Sequence, residues 1–375
     1  MPSQQKSRLP LHFPVHMPIR IFSDRQGYLA HIYASWMADW FRLRIGLRPN
    51  DVEELNAELQ QALQDASNDL EANGAYSGAL VKLARIGNFA FKSIFGDSGL
   101  RASLSKALKV GATIQFASED FFLPWELLYD YDGPPGMQVN VSRFWGMRYV
   151  VSRTPIREIG PVDVEPPVIR ASCPHVGLIA CNELEYVLGK EIPALQKLDE
   201  DKQILLVLLR PLEAHRRDEE LEYVRQFFSK EKLDIVHLAC HAFEQKPLSE
   251  SYLRVSDGFS ITIKDFRVHE LKIKHKPFVI LNACLTGTFS PLHALNWANV
   301  FKECGARGVL ATEFHVPDSF AAAFTEELYK HFLSGKPIGE TVLATRYSLW
   351  QGQKNPLGLA YALYSSPMIR IAKAK

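Results

Sequence analysis

The sequence predicts an α/β fold, with a mostly parallel sheet flanked by helices over residues 161–375 and a smaller, helix-rich α+β unit over residues 1–160. Three observations predict it. From Val176 onward, short apolar runs of strand length alternate with helical stretches, the pattern that right-handed crossovers produce in a parallel sheet. Two of those runs, Leu233 to Cys240 and Pro277 to Ala283, are apolar at nearly every position and contain β-branched residues, as a strand buried on both faces does. Between Pro155 and Pro167, prolines interleave with acidic residues, a poor place for helix or central strand and therefore the expected domain boundary.

In chain order, residues 1 to about 25 are punctuated by proline and read as extended. Tyr28 to Phe41 reads as an aromatic-rich helix, in which Trp36 and Trp40 belong to the core or form a ridge for a partner. Asn50 can cap the next helix and Glu53 supplies its capping-box carboxylate. The apolar set Val52, Leu55, Leu59, Leu63, Ala66 and Leu70 advances by threes and fours along it until Asn73-Gly74 ends it. From Asp51 to Glu71 there are seven acidic residues and no Lys or Arg, which reads first as a solvated face and second as a docking face for a basic partner. Further helices are expected over Tyr76–Phe95 and Ser98–Lys109, and strands over Ala112–Phe116 and Tyr149–Arg153. In between, Trp125, Leu127 and Leu128 look like a hydrophobic plug followed by a turn at Asp132-Gly133-Pro134-Pro135-Gly136.

Beyond the boundary, strands are expected at Val176–Ala180 and Ile204–Leu209, with helices over Glu185–Leu198 and Asp218–Lys230. The first of the two apolar runs then delivers His241. Asp257-Gly258 sits between two alternating segments, a hairpin signal read as a two-stranded flap. The second apolar run delivers Cys284. Helix Asn296–Glu303, strand Gly308–Thr312, helices Asp318–Leu333 and Ile338–Trp350, and a last strand or edge at Leu359–Tyr364 complete the chain.

In an open α/β sheet, chemistry gathers at the carboxyl ends of the strands, and His241 and Cys284 both stand at such ends. A thiol with a pKa of ~8.5 is only a few per cent ionised at neutral pH, so a cysteine nucleophile needs an imidazole beside it. Taken singly, a cysteine after an apolar strand is more often a small buried hydrophobe and a histidine near a core more often simply hydrogen-bonded; the joint placement is what points to a dyad. A zinc site built from His237, Cys240, His241 and Cys284 is disfavoured, because His237 and His241 lie ~13 Å apart along a strand and the chain contains no Cys-x-x-Cys pair.

The strings Val236-His237-Leu238-Ala239-Cys240-His241-Ala242, Leu253-Arg254-Val255-Ser256-Asp257-Gly258 and Leu281-Asn282-Ala283-Cys284-Leu285-Thr286-Gly287 resemble the CHAT family, caspase-like cysteine peptidases of the clan that also holds separase and gingipain. Cys304-Gly305-Ala306-Arg307-Gly308-Val309-Leu310-Ala311 resembles the family's Gly-Ala strand, Val316-Pro317-Asp318 the turn beyond it, and Pro124-Trp125-Glu126-Leu127-Leu128 a motif upstream of many such domains. The resemblance implies a caspase-like sheet in a cysteine endopeptidase, with His241 as general base, Cys284 as nucleophile, and the backbone N–H groups of Ala242 and Cys284 as oxyanion donors. It also implies latency until a protein partner or self-assembly orders the site. Two positions depart from the family: Ala242 stands where glycine is usual, and Leu285 where glutamate is common. These departures suggest the rival reading, a catalytically silent interaction module on the same fold. The substrate-binding residues are not legible.

Composition narrows the field. With 47% apolar and 23% charged residues the chain reads as an ordinary globular protein, and a formal net charge of +1 gives no bulk attraction to nucleic acid or membrane. Five cysteines, an odd number and sparse, read as a reducing, cytoplasmic setting, and the first residues lack the apolar core of a signal peptide. The uncharged run Phe278–Phe301 is broken by Asn282, Thr286-Gly287-Thr288, Pro291, His293, Asn296 and Asn299, so it is not read as a membrane span. Gly189-Lys190 and Gly335-Lys336 lack the Ser or Thr and the upstream glycine of a phosphate loop. No cofactor and no metal is expected, and the partners expected are a protein substrate and an activator.

Overall fold

The computed structural model describes residues 15–34, 41–73, 78–133, 139–155, 168–230, 232–285 and 291–373. Trp36, Trp40, the Pro134-Pro135-Gly136 part of the expected turn, the proline-rich segment 156–167 and Thr286-Gly287 lie outside them.

The first sheet has the order β3-β2-β1-β4-β5. Its strands are β1 (Met17–Asp24), β2 (Gly27–Ile32), β3 (Phe41–Ile45), β4 (Thr113–Ser118) and β5 (Val150–Pro155). Strands β1 to β3 form an antiparallel meander, and β4 and β5 run parallel to β1. The extended start contains strand β1, and one expectation is corrected: the described part of the segment beginning at Tyr28 is strand rather than aromatic helix. In β1, Met17, Ile19 and Ile21 are buried, and in β2, Tyr28, Ala30 and Ile32 are buried, a period of two that the apolar residues on the other face obscure in the sequence. Aromatic and β-branched residues suit such a surface. Gly27 closes the β1–β2 turn at φ +115°, a conformation that favours glycine.

Helices α1 (Pro49–Asn73), α2 (Gly78–Ile94) and α3 (Ser98–Ala107) follow. The apolar stripe of α1 is buried from Val52 to Ala66 as its spacing requires, but the helix begins at Pro49 rather than after an Asn50 cap. The Arg48 amide donates to Asp51 Oδ2 at 2.7 Å, and proline at the first helical position loses no intrahelical bond. Gly87 of α2 permits a close approach, since a Cβ there would meet Leu127 O at 2.2 Å. Its carbonyl accepts from the Tyr129 amide at 3.1 Å. The plug is buried as expected, with Trp125 stacked on Phe116 at 3.7 Å, in a one-turn helix that precedes α4 (Trp145–Arg148).

The second sheet carries the two apolar runs. Its elements are β7 (His175–Ala180), α5 (Ile192–Glu200), β8 (Leu205–Leu208), α6 (Arg217–Lys230), β9 (Ile235–Phe243), β10 (Tyr252–Ser256), β11 (Phe259–Thr262), α7 (Ile263–Val268), β12 (Phe278–Leu285), α8 (Pro291–Glu303), β13 (Gly308–Thr312), α9 (Asp318–Phe332), α10 (Ile338–Gln353) and β14 (Tyr361–Tyr364). A separate parallel pair joins β6 (Val168–Arg170) to β15 (Arg370–Ala372). Strands β8, β7, β9, β12 and β13 are parallel, and β14 closes one side antiparallel. The β10–β11 hairpin is not a free flap. It pairs antiparallel with the upper part of β9, Leu253 opposite Ala242 and Arg254 opposite His241, because its buried Leu253, Phe259 and Ile261 give it an apolar face to cover. Helices cover both faces, as the alternating pattern predicts. Phe228 of α6, Phe266 of α7 and Trp297 of α8 pack together on one side, and α9 with the π-helical stretch Val187–Glu191 that continues into α5, as the expected helix over Glu185–Leu198 requires, covers the other.

The two sheets are joined by buried charge. Arg153 of β5 grips Glu126 with two nitrogens at 2.9 and 2.6 Å and reaches Glu313, just past β13, at 2.9 Å. Arg346 of α10 meets Glu126 at 3.3 Å and the carbonyls of Gly146, Gly358 and Tyr361, while the Tyr364 hydroxyl donates to Glu313 Oε1 at 2.5 Å. Burial pushes the Glu126 carboxyl up, but Arg153 and Arg346 outweigh it and hold the group below the usual range. Burial, aided by the Glu126 charge and opposed by Arg153, pushes Glu313 up to about 7.

Glu126→Gln should therefore cost about 3–5 kcal/mol in urea denaturation, because it leaves two guanidinium groups buried with less than their countercharge. Glu313 binds its proton more tightly when folded, so its ionisation weakens the fold as pH rises from the ordinary carboxylate range to about 7. The stability of Glu313→Gln relative to wild type should rise across that interval and level off above it; parallel pH profiles would refute the assignment.

Candidate active site at the strand ends

Strands β9 and β12 are paired in parallel from Ile235 opposite Phe278 to Ala242 opposite Leu285, which makes His241 and Cys284 direct partners in the register. Adjacent strands lie ~4.8 Å apart and the pleat places register partners on the same face of a parallel sheet. The structure thus brings the two residues singled out from the sequence side by side at the carboxyl ends of neighbouring strands. His241 is half-buried, whereas Cys240 is fully buried, as alternation along β9 requires. Ala242 lies buried within β9 between Leu253 and Leu285. It is absent from the left-handed residues of the described chain, so the missing glycine imposes no backbone strain there.

Beneath this pair, on the same face, lies a polar cluster that the sequence does not announce. Asn282, two residues before Cys284, places its Nδ2 2.8 Å from Glu191 Oε1, 3.0 Å from Thr325 Oγ1 and 3.2 Å from the Ala321 carbonyl. Its Oδ1 accepts from the Tyr361 hydroxyl at 2.7 Å. His237, four residues before His241, has Nε2 2.8 Å from Glu191 Oε1 and Nδ1 3.2 Å from the Tyr329 hydroxyl. Burial alone would raise the Glu191 carboxyl, but His237, Thr325 and Asn282 together hold it below the usual range. The cluster ties β9, β12, α9 and the helical stretch leading into α5 to one carboxylate.

Around His241 stand further side chains from neighbouring strand ends. Cys181 follows β7, its amide donating to Ala239 O at 2.8 Å. Its Sγ, the Glu183 carboxylate and a His241 ring nitrogen all lie within 4.8 Å of one another. Arg254, the register partner of His241 on β10, pairs with Glu183 Oε2 at 3.3 Å and lies over the Phe243 ring. From beyond β13 comes His315, whose imidazole burial holds below its ordinary value, with nearby His241 adding to the effect. Cys181, Glu183 and His315 were missed in the sequence because each lies just past a strand end in a motif of no recognisable spacing.

The chain matches the CHAT domain over residues 100–369. It belongs to the CHAT family. The match begins in α3 and takes in β4, the Trp125 turn and β5 as well as the second sheet. Among solved structures, the chain is similar to two crystal structures of the Saccharomyces cerevisiae separase–securin complex. One match has a TM-score of 0.55 at 11% identity and the other 0.51 at 10%. Each covers 95% of this CHAT protein but 30% of the matched chain, and each shows a shared caspase-like fold. No curated protein matches the sequence. No described helix is long and apolar enough to cross a membrane.

Burial acts in the same direction on two other thiols, Cys181 beside His241 and Cys304 ahead of the amino end of β13. Burial, with the Glu183 and Asp257 charges adding and Arg254 opposing, pushes the Cys181 thiol up, and burial pushes Cys304 up to about 12. Both should stay protonated and alkylate slowly with iodoacetamide in the native protein near neutral pH, then rapidly after unfolding. Mass spectrometry of the modified peptides checks this.

Proposed function

We propose that this CHAT protein is a cysteine endopeptidase in which His241 takes the proton of Cys284 and the thiolate attacks a peptide carbonyl. The backbone N–H groups of Ala242 and Cys284 are the proposed donors to the oxyanion. An acyl-enzyme forms on Cys284, the protonated imidazole returns its proton to the leaving amine, and water releases the acyl group. The register of Cys284 against His241 carries this reading. The buried Asn282–Glu191–His237 cluster supports it, since it fixes the two strands immediately below the pair.

The catalytic unit is assigned to residues 161–375 and regulation to residues 1–160, in a cytoplasmic setting consistent with few cysteines. The enzyme is latent until a protein partner or self-assembly orders the site. Holding the competent state at about 1% takes only ~2.7 kcal/mol, within reach of one docking interface. The fold neighbours come from a complex of separase with another protein, securin, which supports control by a partner.

Cys284→Ala and His241→Ala should each abolish labelling by a thiol-reactive peptide electrophile, while Cys240→Ala should retain it, each with an unchanged circular dichroism spectrum. Equal labelling of wild type and Cys284→Ala would sink the dyad and favour the silent interaction module. Cleavage of a peptide library should survive a strong chelator, because imidazole rather than a metal activates the nucleophile. Activity lost to the chelator and restored by zinc would overturn this.

A further inference from the structure

We propose that Cys181, Glu183 and His241 form an inhibitory site for a zinc-type divalent cation, which switches the enzyme off by taking the imidazole that Cys284 needs. The inhibitory part rests on the dyad proposed above; the binding part does not. The three donors come from two places in the sheet. Cys181 and Glu183 stand two apart in the turn after β7, and His241 stands on β9, with the ligand atoms all within 4.8 Å of one another. Bond lengths of ~2.0–2.3 Å to thiolate, imidazole and carboxylate set a tetrahedral edge of about 3.5 Å, so the donors must close by about an ångström. Glu183 can supply its share of that movement, since its side chain retains 34% exposure, and a χ1 adjustment of Cys181 supplies the rest.

The donor types select the cation. A thiolate with an imidazole favours zinc and its borderline neighbours over magnesium or calcium, which prefer all-oxygen shells. Three protein ligands leave a fourth position for water. Binding displaces the Cys181 proton to solvent, and the resulting thiolate with the Glu183 carboxylate balances the two positive charges. Cys181 Sγ donates to Glu183 Oε2 at 4.0 Å and Arg254 pairs with the same oxygen at 3.3 Å, so the cation takes the place of the thiol proton in a contact that already exists. This set shares only His241 with the His237, Cys240, His241 and Cys284 grouping that strand geometry excludes.

Cobalt(II), a spectroscopic stand-in for zinc, tests the binding part directly. Titrated into the full chain, it should give a thiolate-to-cobalt charge-transfer band that persists in Cys284→Ala, vanishes in Cys181→Ser and needs at least about tenfold more cobalt in Glu183→Gln. No such band in wild type, or a band lost in Cys284→Ala and kept in Cys181→Ser, would overturn the site. Zinc should suppress peptide cleavage in wild type, and the zinc concentration for half suppression should rise at least about tenfold in Glu183→Gln; an unchanged concentration would overturn the inhibitory role. If no cleavage is found under any condition, the dyad fails while the cobalt spectrum still decides the site.

Discussion

Arg153 is the hinge on which the architecture rests. It belongs to β5 of the first sheet, yet its guanidinium is shared between Glu126, in the plug of the same sheet, and Glu313, past β13 of the second. A charge taken out of water is tolerable only when paired and hydrogen-bonded, so none of these groups can move without the others. Arg346 meets the same demand from α10, spending its remaining donors on backbone carbonyls. The plug that looks purely hydrophobic in sequence thus carries, in Glu126, a carboxylate shared by Arg153 of the first sheet and Arg346 of α10.

A second buried carboxylate plays a comparable part under the strand ends. Glu191 ends the π-helical stretch that runs straight into α5 and gathers His237, Asn282 and Thr325 around one oxygen. Those three residues belong to β9, β12 and α9. Apolar packing between Val and Ile side chains tolerates sliding far better than a hydrogen-bonded cluster does. A slip of β12 by one residue would turn its side chains to the opposite face, separating Asn282 from Glu191 and taking Cys284 out of register with His241.

The second sheet was legible because its strands are buried on both faces and read as unbroken apolar runs, and because the helices between them keep their spacing. The placement of His241 and Cys284 at neighbouring strand ends was legible because each follows such a run. The first sheet was read poorly for the converse reason. Tyr28, Ala30 and Ile32 face inward, but Leu29 lies between them, and the alternation that marks a strand is lost in a stretch apolar on both sides. The hairpin at Asp257-Gly258 was seen from its turn, yet its attachment to β9 is a long-range fact that local signals do not carry. Glu126 and Asn282 were hidden for a further reason: a polar residue inside an apolar run has no periodicity of its own, and only its partners, far away in sequence, explain it; Glu191, after Gly189-Lys190, reads as an ordinary charged helical residue.

The shared charge cluster also bears on how such a protein can be taken apart. Glu126 and Arg153 precede the proline-rich segment, and Glu313, Arg346 and Tyr364 follow it. A chain cut in that segment would leave Glu126 and Arg153 on one fragment and Arg346 and Glu313 on the other, exposing a fresh seam of apolar surface and mismatched ions on each. Heredity meets the same obstacle as the scalpel: recombination that swapped the front of this chain for another segment would have to carry the Glu126 and Arg153 pair along or re-invent it. The unit that travels intact is larger than the peptidase-like sheet alone, and the family match, which starts at residue 100, includes both of those residues.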